Sequence, residues 1–251
     1  MKPWFPFRSR TRYDKSEGVN EAWIIDCKAV GKTNDNHRYM IANEWIAANI
    51  AQFMRLPIPP FALLRNSATT AMFGSYSFEG DTLPYDVRAP ECVNGHAELC
   101  AGILVFDILV ANCDRHRGNI KVDNPNKPKR VYIIDHDHAL FYVLPDEGIK
   151  RLKELADRLG ISGGSVSGHH RHILLDEVTT AAHFSKWIER ANQIPNWFIN
   201  DVCDAVKQIG LKKGEAKEVK KFLLERRSKI GNLILDNRKE FTKIKDWPLF
   251  I

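Results

Sequence analysis

The chain lacks the features that would assign it to several large protein classes. Its five cysteines are odd in number and scattered, at Cys27, Cys92, Cys100, Cys113 and Cys203, and no Cys-x-x-Cys pair occurs. A disulfide framework is not expected, and reduced thiols in a cytoplasmic setting are. No long apolar run is present. The most apolar stretch, Ala101 to Ala111, is too short to span a bilayer and carries Asp107, so it reads as a buried helix. The first residues, Met1 to Phe7, have no apolar core of the kind a secretory signal needs. Internal repeats and lipidation signals are also missing.

What remains is an ordinary globular composition. The 251 residues are 44% hydrophobic and 27% charged, enough for one well-buried core or two packed lobes. The net charge of +6 suits anionic ligands without choosing among them. Much of the excess lies in the C-terminal segment holding Lys212, Lys213, Lys217, Lys220, Lys221, Arg226, Arg227 and Lys229. That segment reads as the solvated face of an amphipathic helix. With only Phe222 and Phe241 nearby, a nucleic-acid interface is not expected.

Patterning divides the chain in two. Trp23–Val30 reads as a strand, Tyr39–Met54 as a helix ended by the prolines of Leu56–Pro60, and Phe61–Arg65 and Ala71–Phe78 as further strands. A proline-bearing linker, Asp81–Pro90, follows. Beyond it come a helix from about Ala97 and a hairpin pairing Ile120–Val122 with Val131–Ile134. Helices are then expected over Pro145–Leu159, Ala182–Asn192, Pro195–Ile209 and Gly214–Asn237. The expected architecture is a single α+β domain of two lobes, with 1–85 small and β-rich and 86–251 larger and mainly helical.

The chemistry concentrates just after the linker, in Asn112-Cys113-Asp114-Arg115-His116-Arg117-Gly118-Asn119 and in Ile134-Asp135-His136-Asp137-His138. An Asp, an Asn five positions on and a second Asp closing an apolar strand form a set used in phosphoryl transfer. One Asp orients the attacking hydroxyl, and the Asn and the other Asp hold Mg²⁺. Asp114 is placed to accept a hydroxyl proton, in a catalytic loop with Arg115 and His116. An amide oxygen at Asn119 and a carboxylate at Asp135 are suitable hard ligands, and Asp137 is a second metal candidate. A cation is also needed. Lys28, held by Glu44 on the next helix, is the expected phosphate-binding lysine, and Lys32 is the alternative. His136-x-His138 and the cluster His169, His170 and His172 show no spacing that demands zinc. The Gly/Ser/His segment that begins at Gly163 reads as a mobile loop, one that either moves over the site or is itself phosphorylated.

These residues resemble HipA-like kinases, and more distantly the phosphoinositide 3/4-kinases that share an atypical kinase fold with them. The resemblance rests on Asn43-Glu44, Leu56-Pro57-Ile58-Pro59, Val110 to His116, Asn119 and Ile134-Asp135-His136, and it covers about Trp23 to Phe141. It implies ATP- and Mg²⁺-dependent phosphorylation of a protein hydroxyl, with Asp114 as catalytic base and Asn119 and Asp135 on the metal. Lys28 and Glu44 would then serve the phosphates. A phosphoinositide or small-molecule acceptor and a nucleotide-binding pseudokinase are the alternatives. HipA toxins are restrained by a DNA-binding antitoxin, and the shortness of this chain argues against such a partner. In place of a Gly-x-Gly-x-x-Gly segment before Lys28, the sequence offers Ser16 and Gly18 as a minimal phosphate loop.

Overall fold

The computed structural model describes residues 7–13, 23–35, 37–65, 71–77, 85–86, 95–124, 126–142, 146–162, 171–207 and 209–247. Its strands form three small antiparallel sheets. β1 (Phe7–Arg12) pairs with β2 (Trp23–Cys27). β3 (Ala29–Lys32), β5 (Ala71–Tyr76) and β4 (Phe61–Arg65) form the second sheet, in that order. β6 (Tyr85–Asp86), β7 (Ile120–Val122) and β8 (Val131–Ile133) form the third. The helices are α1 (Met40–Phe53), α2 (Ala97–Val110), α3 (Gly148–Glu154), α4 (Ala182–Asn192), α5 (Asn196–Ala205) and α6 (Lys213–Asp236). The result is a mixed α/β fold of small sheets and helices. No described helix is long and apolar enough to cross a membrane.

The expected strand Trp23–Val30 is two strands. The chain breaks at Lys28, leaving β2 with β1 and sending β3 into the sheet beneath α1. Periodicity cannot reveal the break, because both pieces keep extended backbone. β1, with Phe7 as its one apolar residue, carries no apolar alternation to predict it, and α3 is shorter than the expected Pro145–Leu159. Ser16, Gly18, Gly163–Gly168, His169, His170 and most of the Asp81–Pro90 linker lie outside the described residues.

α1 is the layer between the second sheet and the helical part. Ile41 and Ala48 meet Phe73 of β5, while Ala42, Ile46, Ala47 and Ile50 join the main core. α2 is the centre of that core, buried continuously from Cys100 to Val110. It crosses α4 so closely that a Cβ on Gly102 would lie 2.4 Å from the Trp187 ring. Gly102→Ala should therefore cost about 1–3 kcal/mol through forced repacking, read as a lowered denaturation midpoint. An unchanged midpoint would show that the α2–α4 contact gives way freely.

Both α1 and α2 end in Schellman-type turns closed by residues other than glycine. Arg55 has φ 60° and Ala111 has φ 50°. Leu56 N donates to Ala51 O and Asn112 N to Asp107 O, each at 2.9 Å. The left-handed Ala111 ends α2 and begins the loop that holds Asp114.

α6 corrects one expectation. Arg226 belongs to no solvated face: it is fully buried. It donates to the carbonyls of Ile108 at 3.1 Å, Arg158 at 2.8 Å and Leu159 at 2.9 Å, and also to Leu155. Burial pushes its pKa down to about 9. It fastens α6 to the end of α2, just before the Asp114 loop.

Candidate active site

A cavity of about 430 Å³ lies between the second sheet, α1 and the end of β8. Val30, Ala48, Ile58, Phe61, Phe73 and Ile133 make its walls apolar, and Lys32, Glu44, Asp135 and His136 make one end polar. The volume is that of a small-molecule site.

Lys32, the last residue of β3, brings a cation to that end, and Lys121 of β7 also lines the cavity. Its Nζ lies 2.5 Å from Glu44 Oε1 and 2.5 Å from Asp135 Oδ1. Burial alone would lower its pKa, but the two carboxylates overcome that and raise it. The expected Lys28–Glu44 pair is thus a Lys32–Glu44 pair. Lys28 sits at the joint between β2 and β3, where its carbonyl accepts from Ser77 N at 3.0 Å, and it does not line the cavity.

Glu44 is buried on α1, yet its pKa is lowered. Burial opposes ionisation, and hydrogen bonding to His136 together with the Lys32 charge outweighs it. His136 N donates to Glu44 Oε1 at 3.0 Å, and the His136 ring lies 3.4 Å from Oε2. The preceding residue, Asn43, donates to the Asp137 carbonyl at 2.6 Å and accepts from Phe141 N at 3.3 Å. One turn of α1 therefore grips the 135–142 segment from two adjacent positions.

The β7–β8 hairpin aligns the other candidates. Ile120 faces Ile133, and Ile134 N donates to Asn119 O at 3.1 Å, so Asn119 lies beside the residue preceding Asp135. Asn119 Nδ2 donates to the Asp114 carbonyl at 2.9 Å, which leaves its amide oxygen as the atom able to act as a ligand. Asp135 has φ 62°, a left-handed backbone that ends the strand and turns the carboxylate to Lys32. Burial would raise its pKa, but Lys32 brings it down to about 2. Asp137 is hydrogen-bonded to Asp135, and burial followed by the Asp135 charge pushes it up to about 7.

Because the folded value lies above the ordinary 3.8, the protonated Asp137 carboxyl favours the folded state. Its contribution is complete below the unfolded pKa and is lost as pH rises through the folded one. His37, His138 and His172, whose pKa values burial lowers, act in the opposite sense over the same range, so the test is a difference: from about pH 5 to about pH 8 the ligand-free wild type should lose stability relative to Asp137→Asn. An equal change in the two proteins would contradict this assignment.

Asp114 is partly buried, with Oδ2 3.6 Å from His138 Nδ1 and 3.7 Å from His116 Nε2. His116 is half exposed, and its Nδ1 accepts from Gly118 N at 3.0 Å to start the 3₁₀ turn Arg117–Asn119. Arg115 does not face the cleft. Its side chain is fully buried and forks onto Asp107, with Nε and Nη2 each at 2.9 Å from a carboxylate oxygen. Its Nη1 donates to the carbonyls of Asn119 at 3.1 Å and Ile134 at 2.8 Å. The expected catalytic place for Arg115 is corrected accordingly: an arginine enclosed this way holds the loop and touches no substrate.

In the sequence Asp107 reads only as a charge in an apolar helix. That oddity was the available signal for its partners. Among the described residues, no group of three or more His, Cys, Asp or Glu side chains is arranged to hold a metal ion. The hard oxygens of Asn119 and Asp135 are nonetheless of the type Mg²⁺ takes alongside phosphate oxygens.

A strand lysine tied to a helix glutamate, beside an apolar cavity and an Asp–Asn loop, is the kind of arrangement kinases use around a nucleotide. The chain matches the HipA-like kinase family over residues 17–147, just over half its length, and belongs to that family. The fold is shared with the Helicobacter pylori proinflammatory kinase CtkA. The TM-score is 0.56 at 13% identity, over 95% of this chain and 97% of that one. HipA of Shewanella oneidensis MR-1, solved with HipB and its operator DNA, aligns with a TM-score of 0.44 at 13% identity, over 89% of this chain and 65% of that one. No curated protein matches the sequence.

Proposed function

We propose that the protein is an ATP- and Mg²⁺-dependent kinase that transfers the γ-phosphate to a serine or threonine hydroxyl of another protein. The observation carrying this reading is Lys32, held between Glu44 and Asp135 at the polar end of the apolar cavity. The apolar walls suit a nucleotide base, and the lysine suits its phosphates. Residues 1–85 form the smaller lobe in this reading and 86–251 the larger.

Each residue then has a part that follows from its place. Lys32 binds phosphate oxygens, and Glu44, fixed by His136, keeps the lysine aimed. Asp114 accepts or orients the acceptor's hydroxyl proton. Asn119 and Asp135 would hold Mg²⁺, which when bound neutralises charge on the phosphates. Asp135 is suited to this because its carboxyl stays ionised at neutral pH. His116, half exposed beside Asp114, is at the edge where an acceptor enters.

Incubation with γ-labelled ATP, cell lysate and lipid vesicles tests the reading. Label should enter protein, should require Mg²⁺, and should fall about 10²-fold or more in Asp135→Asn. Label in lipid or in a small molecule would replace the protein acceptor with that class. Nucleotide binding without transfer to any acceptor would make the chain a pseudokinase.

A further inference from the structure

We propose that His172 is a positioning residue for Asp114, acting through Asp107 and Arg115. This rests on the kinase reading above, and it concerns a residue beyond the 17–147 stretch that carries the family match.

The argument is geometric. Asp107, on the buried face of α2, receives four hydrogen bonds. Two come from the Arg115 fork at 2.9 Å each, one from Asn112 Nδ2 at 2.8 Å, and one from His172 Nε2 at 2.9 Å. Arg115 and Asn112 bracket Asp114 in sequence, and Asn112 Oδ1 also accepts from Asp114 N at 3.3 Å. Moving Asp107 would therefore move both shoulders of the Asp114 loop. Arg115 extends the link, since its remaining nitrogen bonds the carbonyls of Asn119 and Ile134 and so ties the metal-side strands to the same carboxylate.

His172 is the one member of this cluster that comes from the far side of α3. Its tautomer is fixed: Nδ1 accepts from Leu174 N at 3.2 Å, so Nε2 carries the proton and donates to Asp107. Burial favours the neutral ring, against the pull of Asp107. The next residue adds a second tie, because Ile173 N donates to Arg115 O at 3.3 Å. The 171–175 segment is thus docked on the Asp114 loop by a side chain and by backbone. A buried carboxylate with four donors has little freedom. Removing one lets Asp107, and the loop it holds, reorient.

His172→Leu and His172→Gln test this. Gln offers an amide donor near the place of Nε2, and Leu offers none. His172→Leu should lower kcat about 10²-fold with KM for ATP little changed, as expected when a reacting group is misplaced by about an ångström. His172→Gln should recover most of the loss. Hydrogen exchange should speed up in 112–119 of His172→Leu while α1 and α4 stay protected. Should His172→Leu fail to fold, His172→Asn, whose shorter amide falls short of Asp107, takes its place. Wild-type kcat in the folded Leu variant, a raised KM with kcat intact, or Gln no better than Leu would each overturn the proposal. If the wild type itself transfers no phosphate, the kinase reading fails, and exchange alone then judges His172. Faster exchange confined to 112–119 supports its role, and unchanged or uniformly faster exchange refutes it.

Discussion

Lys32→Met should reduce phosphoryl transfer by about 10³-fold, the scale on which losing a charged group aimed at the reacting centre is felt. Lys28→Met should leave transfer within about twofold. The contrast follows from position: Lys32 points into the cavity between two carboxylates, and Lys28 lies at a strand junction away from it. Stability should also respond. Glu44 is 2% exposed, and without the lysine it keeps only its His136 contacts. A loss of about 1–3 kcal/mol is expected from a buried carboxylate left short of a partner. Steady-state transfer assays with denaturant melts check both parts. Equal loss of transfer in the two variants would mean that the cavity lysine has no special role.

The second large effect is expected at Arg115. Removing it leaves the Asp107 charge buried with only Asn112 and His172 as donors. Breaking a fully buried pair in this way costs about 3–5 kcal/mol, and Arg115→Ala should lower the melting temperature by roughly 10 °C. Arg115→Lys keeps the charge and loses the fork, so it should cost about half as much. Activity should fall in both, because the same guanidinium bonds the Asn119 and Ile134 carbonyls. A melting temperature unchanged in Arg115→Ala would show that Asp107 can be neutralised in place at no cost.

These two residues also show what a single sequence could and could not reveal. Asn119 and Asp135 are joined by a short hairpin, and local patterning was enough to place their strands side by side. The helices α2, α4 and α6 were legible for the same reason, since their apolar spacing or continuous burial is a local property. The strand expected at Trp23–Val30 leaves Lys32 just outside it, and even a strand extended to Lys32 would turn both lysines, four positions apart, to the same face, so alternation cannot choose between them. The choice is made by the break after Cys27, which sends only β3 under α1. Arg115 reads as a loop residue beside a catalytic Asp. Its burial depends on Asp107 one helix earlier and on His172, sixty-five residues beyond Asp107. Contacts of that separation leave no periodic trace. Arg226 was hidden likewise, its carbonyl partners lying in α2 and after α3.

The most direct test of the central claim is single-turnover transfer from γ-labelled ATP by the wild type and by Asp114→Asn, with nucleotide binding measured on the same samples. The substitution keeps the size of the side chain and removes its ability to accept a proton. The account predicts ATP binding within about twofold of wild type and transfer slowed by about 10²–10⁴-fold. Transfer at the wild-type rate in a folded, nucleotide-bound Asp114→Asn protein would contradict it.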